Sequence, residues 1–173
     1  WTAELANQDF KLSMFWPNNF PKWTCILFIY NALVTRHRIS KWEKNLSEFC
    51  KFCQKNGKNE KETNLHAILN CDRVTEIWNK LNDFFKKFGF ILCKEVKIFG
   101  LENREKNIEK SLLNSAIQIA QKSIWMTRKI LENSDKTTDI WKHFKTSVDT
   151  FKMYKNYHGN NDVIDEFLRK LKN

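Results

Sequence analysis

The chain has 173 residues, with 30 Lys and Arg against 20 Asp and Glu, and therefore a net charge of +10. Its 4 glycines and 2 prolines are few, which disfavours both the tight turns of a β-sandwich or barrel and the Gly-rich loops of nucleotide-binding folds. Apolar residues make up 42% of the chain, enough for a buried core, but no apolar run is long enough for a membrane span. We expect a mainly α-helical protein with an acidic partner and no membrane contact.

The chain contains 5 cysteines, an odd number, and no secretory signal. Thiols in a reducing compartment, or a metal site, are therefore expected in place of a disulfide framework, and the location predicted is intracellular. Because the first residue is Trp1 and not Met, we expect the chain to be part of a longer polypeptide.

Residues 1–44 are predicted to form an aromatic lead and one buried helix. Both prolines lie in the lead, which is interpreted as a short helix and an extended link. Residues 25–34 are apolar on nearly all sides, which predicts a helix buried on most faces, with Cys25 as a core thiol. A small basic cluster then follows at 36–38.

Residues 45–75 differ in character, because the 11 positions after Cys53 contain no apolar residue and cannot order themselves by hydrophobic burial. The stretch is flanked in the pattern Cys50-x2-Cys53-x12-His66-x4-Cys71. Three thiolates and an imidazole form a standard tetrahedral ligand set for structural Zn²⁺, which leaves no open catalytic position. Metal binding would supply the folding free energy that the loop lacks. From the spacing alone, ordinary buried thiols and a satisfied histidine are the alternative.

Residues 76–173 are predicted to form a helical bundle. Apolar residues at intervals of three and four continue from Val74 to Phe88, with Gly89 as the expected C′ residue. The same periodicity predicts helices over about 106–132, 137–157 and 161–172. Candidate N-caps of the last two helices are Thr137 or Thr138 and Asn160 or Asn161.

The segment 90–100 is rich in apolar residues and is the one predicted strand, ending at Gly100, with Cys93 as a core thiol. Three tryptophans lie on or beside helical stripes and are predicted to pack in the core because large aromatics dominate such positions. They are Trp78, Trp125 and Trp141.

This arrangement resembles the zinc-binding (CCHC) C-terminal region of a non-LTR (LINE-type) retrotransposon reverse transcriptase. The family pattern has an aromatic and proline lead, a helix with A-L-x-T, a tryptophan, C-x2-C, E-T-x2-H-x4-C and a second tryptophan, and its tail carries I-W-x2-R. The match runs from about residue 20 to 128, through Phe20-Pro21-Lys22-Trp23, Ala32-Leu33-Val34-Thr35, Arg38, Trp42, Cys50, Cys53, Glu62-Thr63, His66, Cys71, Trp78, Phe99-Gly100 and Ile124-Trp125-Met126-Thr127-Arg128. Residues 133–173 match no part of the pattern. Because the Cys-to-His gap exceeds that of retroviral knuckles, the retroviral mode of RNA binding is not carried over.

The resemblance implies a mainly α fold in which a zinc-stabilised CCHC knuckle lies between helices and a helical bundle follows. It favours Zn²⁺ at Cys50, Cys53, His66 and Cys71. It also implies a nuclear module that binds RNA and/or DNA, contacts the rest of its parent polypeptide and supports target-primed reverse transcription. The chain carries no polymerase Asp-Asp signature and no endonuclease constellation. We therefore expect no enzymatic activity and no catalytic residue in it.

Candidate nucleic-acid contacts surround the knuckle and the basic cluster, where cations would meet phosphates and an aromatic ring would stack on an unpaired base. They are Arg36, His37, Arg38, Lys51, Phe52, Lys55, Lys58 and Lys61. For each of them, simple solvation or packing is the alternative. The alternative function is a zinc-folded helical module for protein interaction or homo-oligomerisation through the C-terminal helices, without direct nucleic-acid binding.

Overall fold

The computed structural model describes residues 33–102, 107–134, 138–156 and 162–172. These residues are mostly helical and contain no strand, which confirms the mainly α prediction. The helices are α1 (Arg36–Ile39), α2 (Lys51–Lys55), α3 (Asp72–Lys86), α4 (Lys94–Phe99), α5 (Ile108–Ser134), α6 (Ile140–Asn156) and α7 (Asp162–Lys172), with a π-helical turn (His66–Asn70) before α3. The predicted lead, Cys25, most of the predicted helix over 25–34 and the candidate caps Thr137, Asn160 and Asn161 lie outside the described residues.

The long helix α5 is the element around which the others pack. It spans 27 residues, and at 1.5 Å per residue it is about 40 Å long. Helices α3 and α6 pack against it, and so do α2 and the π-helical turn. Its buried apolar residues are Leu112, Leu113, Ala116, Ile117, Ile119, Ala120, Ile124, Trp125 and Leu131. Because they face several neighbours at once, α5 connects the bundle to the cysteine–histidine segment.

Aromatic side chains join α3 to the last helix. The ring of Phe84 in α3 lies edge-on to Phe167 of α7, with centroids 5.2 Å apart, and Phe88 also approaches Phe167, at 5.8 Å. Trp78 and Trp125 are buried as predicted, at 2% and 7% exposure, whereas Trp141 is half-buried and stacks on Phe144. Edge-to-face pairs of this kind add to the burial of apolar area.

The strand predicted over 90–100 was wrong, since residues 94–99 form helix α4. No partner strand lies nearby in the described chain, and a helix satisfies its own backbone groups. Leu92 takes the buried position and its N–H donates to Asn82 Oδ1 at 3.1 Å. Cys93, the N-cap residue of α4, is exposed, so its assignment as a core thiol was also wrong.

The ends of α3 and α6 are set by different residues. Gly89 follows α3 at φ +77°, with bonds from Gly89 N–H to Lys86 O and from Phe90 N–H to Phe85 O, which confirms it as the C′ residue. At the start of α6, Asp139 Oδ1 accepts the N–H groups of Trp141 (2.8 Å) and Lys142 (3.1 Å). The cap is therefore Asp139 and not Thr138, because its carboxylate lies one residue before the first turn.

Replacing Gly100 with alanine is expected to destabilise the fold by about 3 kcal/mol. Gly100 has φ +83° and ψ −176°, and a Cβ there would lie 2.6 Å from Asn114 Oδ1. That side chain cannot move without cost, because it accepts the Leu101 N–H and donates to Leu101 O.

Urea denaturation would measure the effect, and Gly89→Ala is the matched control. Gly89 also has a positive φ, but a Cβ added there would have no heavy atom within 4 Å beyond its chain neighbours. It should cost only about 1 kcal/mol. Equal losses in the two variants would contradict the role assigned to Asn114.

Candidate metal centre

The first pair of cysteines lies at the two ends of a single helical turn. Cys50 precedes α2 and Cys53 lies within it, and both are buried. The turn ends in a Schellman motif, in which Lys58 N–H donates to Cys53 O (2.8 Å) and Gly57 N–H to Gln54 O (3.0 Å). Gly57 occupies the left-handed position at φ +73°, so the chain reverses immediately after the second cysteine.

Backbone hydrogen bonds order part of the polar loop after this reversal. Cys50 N–H donates to Glu60 O at 2.8 Å, and Glu62 N–H donates to Glu48 O at 3.0 Å. Phe49 and Lys61 form an isolated antiparallel bridge between these bonds. The returning chain thus lies against the segment that leads into Cys50, and it continues directly towards His66.

The second ligand pair is held by the π-helical turn. Cys71 N–H donates to His66 O at 2.9 Å, a bond across five residues that spaces the two side chains more widely than an α-turn does. The indole N–H of buried Trp78 donates to Ile68 O at 2.7 Å and fixes the turn from α3. Cys71 is then the N-cap residue of α3.

All four ligand atoms lie within 4.8 Å of one another, so the structure brings the predicted metal ligands together and they could hold a metal ion. Cys71 Sγ is 3.9 Å from Cys50 Sγ and 3.8 Å from Cys53 Sγ, and Cys53 Sγ is 3.4 Å from His66 Nε2. Tetrahedral Zn²⁺, with bonds of about 2.3 Å to sulfur and 2.0 Å to nitrogen, requires S···S edges of about 3.8 Å and S···N edges of about 3.5 Å. The residues therefore fit this ion in chemistry and in spacing.

Backbone N–H groups point at two of the sulfurs. Cys50 Sγ accepts from the Cys53 N–H, and Cys71 Sγ accepts from the Arg73 N–H in the first turn of α3. Hydrogen bonds to a thiolate stabilise its charged form, and the N-terminus of α3 adds the favourable end of the helix dipole. Both interactions favour the ionised sulfurs that metal binding requires.

Without a cation, the cluster resists carrying more than one thiolate. The hydrogen bond from the Cys71 thiol lowers the pKa of Cys50 to about 3, and the hydrogen bond to Cys50 raises the pKa of His66. Burial and the Cys50 charge raise the pKa of Cys53 to about 11, while the hydrogen bond to Cys50 and burial raise that of Cys71. A divalent cation would relieve this repulsion and allow all the sulfurs to ionise.

Zinc binding near neutral pH is therefore expected to release about two to three protons, from the Cys53 and Cys71 thiols and from His66. Protons compete with the metal, so the affinity should fall as the pH is lowered. Isothermal titration calorimetry in two buffers of different ionisation enthalpy counts the released protons. Identical heats in both buffers would contradict this description of the metal-free cluster.

A buried ion-pair network joins α5 to the cysteine–histidine segment, residues 45–75, which is called the knuckle below. Glu62 and Arg128 are 2% and 6% exposed, and Glu62 Oε1 accepts from Arg128 Nε at 2.8 Å and also from Arg128 Nη2. The same oxygen accepts the Arg36 N–H at 3.0 Å, and the Arg36 guanidinium pairs with Glu132 near the end of α5 at 2.9 Å. Burial raises the pKa of Glu62, and the Arg128 charge opposes that shift.

Two further cations reach α5 from beside the cysteines. Arg73 donates to Thr127 Oγ1 (3.3 Å) and Ile124 O (3.2 Å), and burial lowers its pKa. Lys51 Nζ donates to the last-turn carbonyls of Leu131 (3.2 Å) and Glu132 (3.3 Å). The knuckle is thus fixed to the bundle by polar contacts on both sides of its ligands.

The candidate nucleic-acid residues occupy different environments. Arg36 and Lys51 contact α5 as described, and His37 Nδ1 lies 2.9 Å from Glu48 Oε2. Phe52 is half-buried and packs against the hydrophobic core. The remaining candidates are Arg38, whose guanidinium lies over Trp42, and the lysines Lys55, Lys58 and Lys61, which are exposed on the knuckle.

A concave depression of about 550 Å³ lies beside the ligand cluster. Cys53 and His66 form part of its wall, together with lysine, asparagine and acidic side chains. Lys58 pairs with Asp72 at its rim, and Lys61 pairs with Glu48 at 2.9 Å. The contacts with Lys61 and His37 hold the pKa of Glu48 below its usual value. The pair with Asp72 holds the pKa of Lys58 above its usual value.

Sequence periodicity did not identify two residues of this site. The sequence did not predict a function for Arg73. Its position four residues before Ile77 nevertheless places a charge on the apolar stripe of α3, and a charge at such a position indicates a buried partner. Glu62 was predicted only as part of the family pattern, because its partner Arg128 lies 66 residues away.

No protein-family model, curated protein or solved structure matches the chain. Within the described ranges, no helix combines the length and the apolar character needed to cross a membrane.

Proposed function

We propose that this chain is a zinc-stabilised helical module that binds RNA or DNA, of the kind found in the C-terminal region of non-LTR retrotransposon reverse transcriptases, where it would support target-primed reverse transcription in the nucleus. The observation that carries the proposal is the set of three thiols and one imidazole whose ligand atoms all lie within 4.8 Å of one another, with three of the distances at 3.4, 3.8 and 3.9 Å. With all four positions taken by protein ligands, the metal stabilises the fold and performs no chemistry.

Charge supports nucleic acid as the partner. The chain carries a net charge of +10, and exposed lysines surround the ligand cluster. The side chains of Lys58 and Lys61 are 55% and 56% exposed, and their pairs with Asp72 and Glu48 are surface pairs, which contribute little to stability. Phosphates can therefore replace these carboxylates as partners, beside a depression that admits a base or a sugar-phosphate.

Fluorescence anisotropy with labelled RNA and DNA, single-stranded and duplex, over a series of salt concentrations tests the proposal on the zinc-loaded chain. The logarithm of the affinity should fall linearly with the logarithm of salt, by about 0.7 to 0.9 for each phosphate contacted. Lys55→Gln and Lys58→Gln should each weaken binding and lower this slope by about 1. Lys170→Gln, on the exposed face of α7, is the matched control and should change neither quantity. Absence of binding by the zinc-loaded chain at low salt would overturn the proposal.

A further inference from the structure

One large aromatic side chain lies open to solvent next to the basic helix α1. Trp42 is 66% exposed, and among the residues whose side chains the structure describes it is the only aromatic one in the set of exposed large hydrophobic residues. The candidate Phe52, by contrast, is half-buried against the core. An indole left in water forgoes the burial that normally stabilises it, so this position is unusual for tryptophan.

The backbone at Trp42 belongs to a hydrogen-bonded turn. The Trp42 N–H donates to Ile39 O at 2.8 Å and the Glu43 N–H donates to the same oxygen at 2.9 Å, which continues the turn that ends α1. The Leu46 N–H then donates to Glu43 O at 3.0 Å. The ring thus projects from a hydrogen-bonded turn.

A cation already lies over the ring. The guanidinium carbon of Arg38, one helical turn earlier, is 5.8 Å from the centre of the Trp42 ring. Residues 36–44 read Arg-His-Arg-Ile-Ser-Lys-Trp-Glu-Lys, with 4 basic residues against one acidic residue. Arg36 pairs with Glu132, while Lys41 and Lys44, which flank Trp42 in the sequence, are exposed. An aromatic surface with cations around it has the chemistry that single-stranded nucleic acid requires.

From this geometry we infer that Trp42, with Arg38 against it, is a stacking platform for an unpaired nucleotide, and that Lys41 and Lys44 contact the neighbouring phosphates. The inference rests on the proposed function and adds a preference to it, because bases within a duplex are already stacked on each other and are not available to the ring. A base on Trp42 and the guanidinium of Arg38 would occupy the two faces of one indole.

The test compares the zinc-loaded wild-type chain with Trp42→Ala and Trp42→Phe. The probes are a fluorescein-labelled single strand of mixed sequence, the same strand carrying abasic sites, and the same strand annealed to its complement. Trp42→Ala should weaken binding to the intact single strand about tenfold, equal to about 1.4 kcal/mol, and Trp42→Phe should weaken it less. The salt slope and the affinity for the duplex should not change, because the indole contacts no phosphate.

The abasic strand distinguishes stacking from a structural effect. It should bind the wild-type chain about as weakly as the intact strand binds Trp42→Ala, and the substitution should cause no further loss on it. Ile91→Ala removes an apolar side chain that is 74% exposed and is expected to bind like wild type.

If the wild-type chain binds with steep salt dependence but Trp42→Ala binds the intact strand equally well, the platform is wrong and the proposed function stands. If the wild-type chain binds none of the probes, both are wrong. A further loss in Trp42→Ala on the abasic strand would also overturn the platform.

Discussion

Replacing Cys53 with serine is expected to abolish stoichiometric zinc binding and to unfold the knuckle. Cys53 is 2% exposed, and its sulfur lies 3.8 Å from Cys71 Sγ and 3.4 Å from His66 Nε2, so its loss removes one of the four positions of the ligand cluster. Structural zinc sites supply about 10–16 kcal/mol of apparent binding free energy, which is as large as the whole stability of a typical domain. The polar loop between Cys53 and His66 buries too little apolar surface to compensate.

Elemental analysis and thermal unfolding followed by circular dichroism measure both effects, and a chelator should reproduce them in the wild-type chain. Cys93→Ser is the matched control, because it removes an exposed thiol outside the cluster and should retain the zinc content and midpoint of wild type. Full zinc content and an unchanged midpoint in Cys53→Ser would show that the cluster does not organise this region.

Replacing Arg128 with methionine is expected to destabilise the protein by about 3–5 kcal/mol, because it leaves the Glu62 carboxylate buried without its partner. Both side chains are almost fully buried and joined by two hydrogen bonds. The double variant Glu62→Gln and Arg128→Met should recover part of the loss, since it leaves no uncompensated charge.

Urea denaturation of the zinc-loaded variants measures these differences. Lys170→Met is the control. Lys170 pairs with Glu166 one helical turn away, both side chains are about half exposed, and the urea midpoint should therefore stay that of wild type. A loss in Arg128→Met no greater than in this control would contradict the role of the Glu62–Arg128 pair in fastening the knuckle to α5.

The ligand set and the main helices could be predicted because their signals are local. The pairs Cys50/Cys53 and His66/Cys71 each lie within one helical turn or π-turn, so spacing alone brings their side chains together. Apolar residues recurring every three or four positions likewise predicted α3, α5 and α6. Sequence spacing could not show that the two pairs meet, which depends on the chain reversal at Gly57 and on the antiparallel bridge between Phe49 and Lys61.

The errors fall where the pattern is short or the partner is distant. Val96, Ile98 and Phe99 form too short an apolar run to distinguish helix from strand, and the segment finds no partner strand in the described chain. The polar contacts that fix the knuckle to α5 join residues far apart in sequence, such as Glu62 and Arg128, and no periodicity reports them. The exposure of Trp42 is also a property of the folded chain.

The most direct test of a zinc-stabilised knuckle is X-ray absorption spectroscopy at the zinc edge, together with metal quantification, on chain purified without chelator. We expect one zinc per chain, bound by the sulfurs of Cys50, Cys53 and Cys71 at about 2.3 Å and by the imidazole of His66 at about 2.0 Å. A chain that folds without metal, or a zinc shell rich in oxygen, would contradict it.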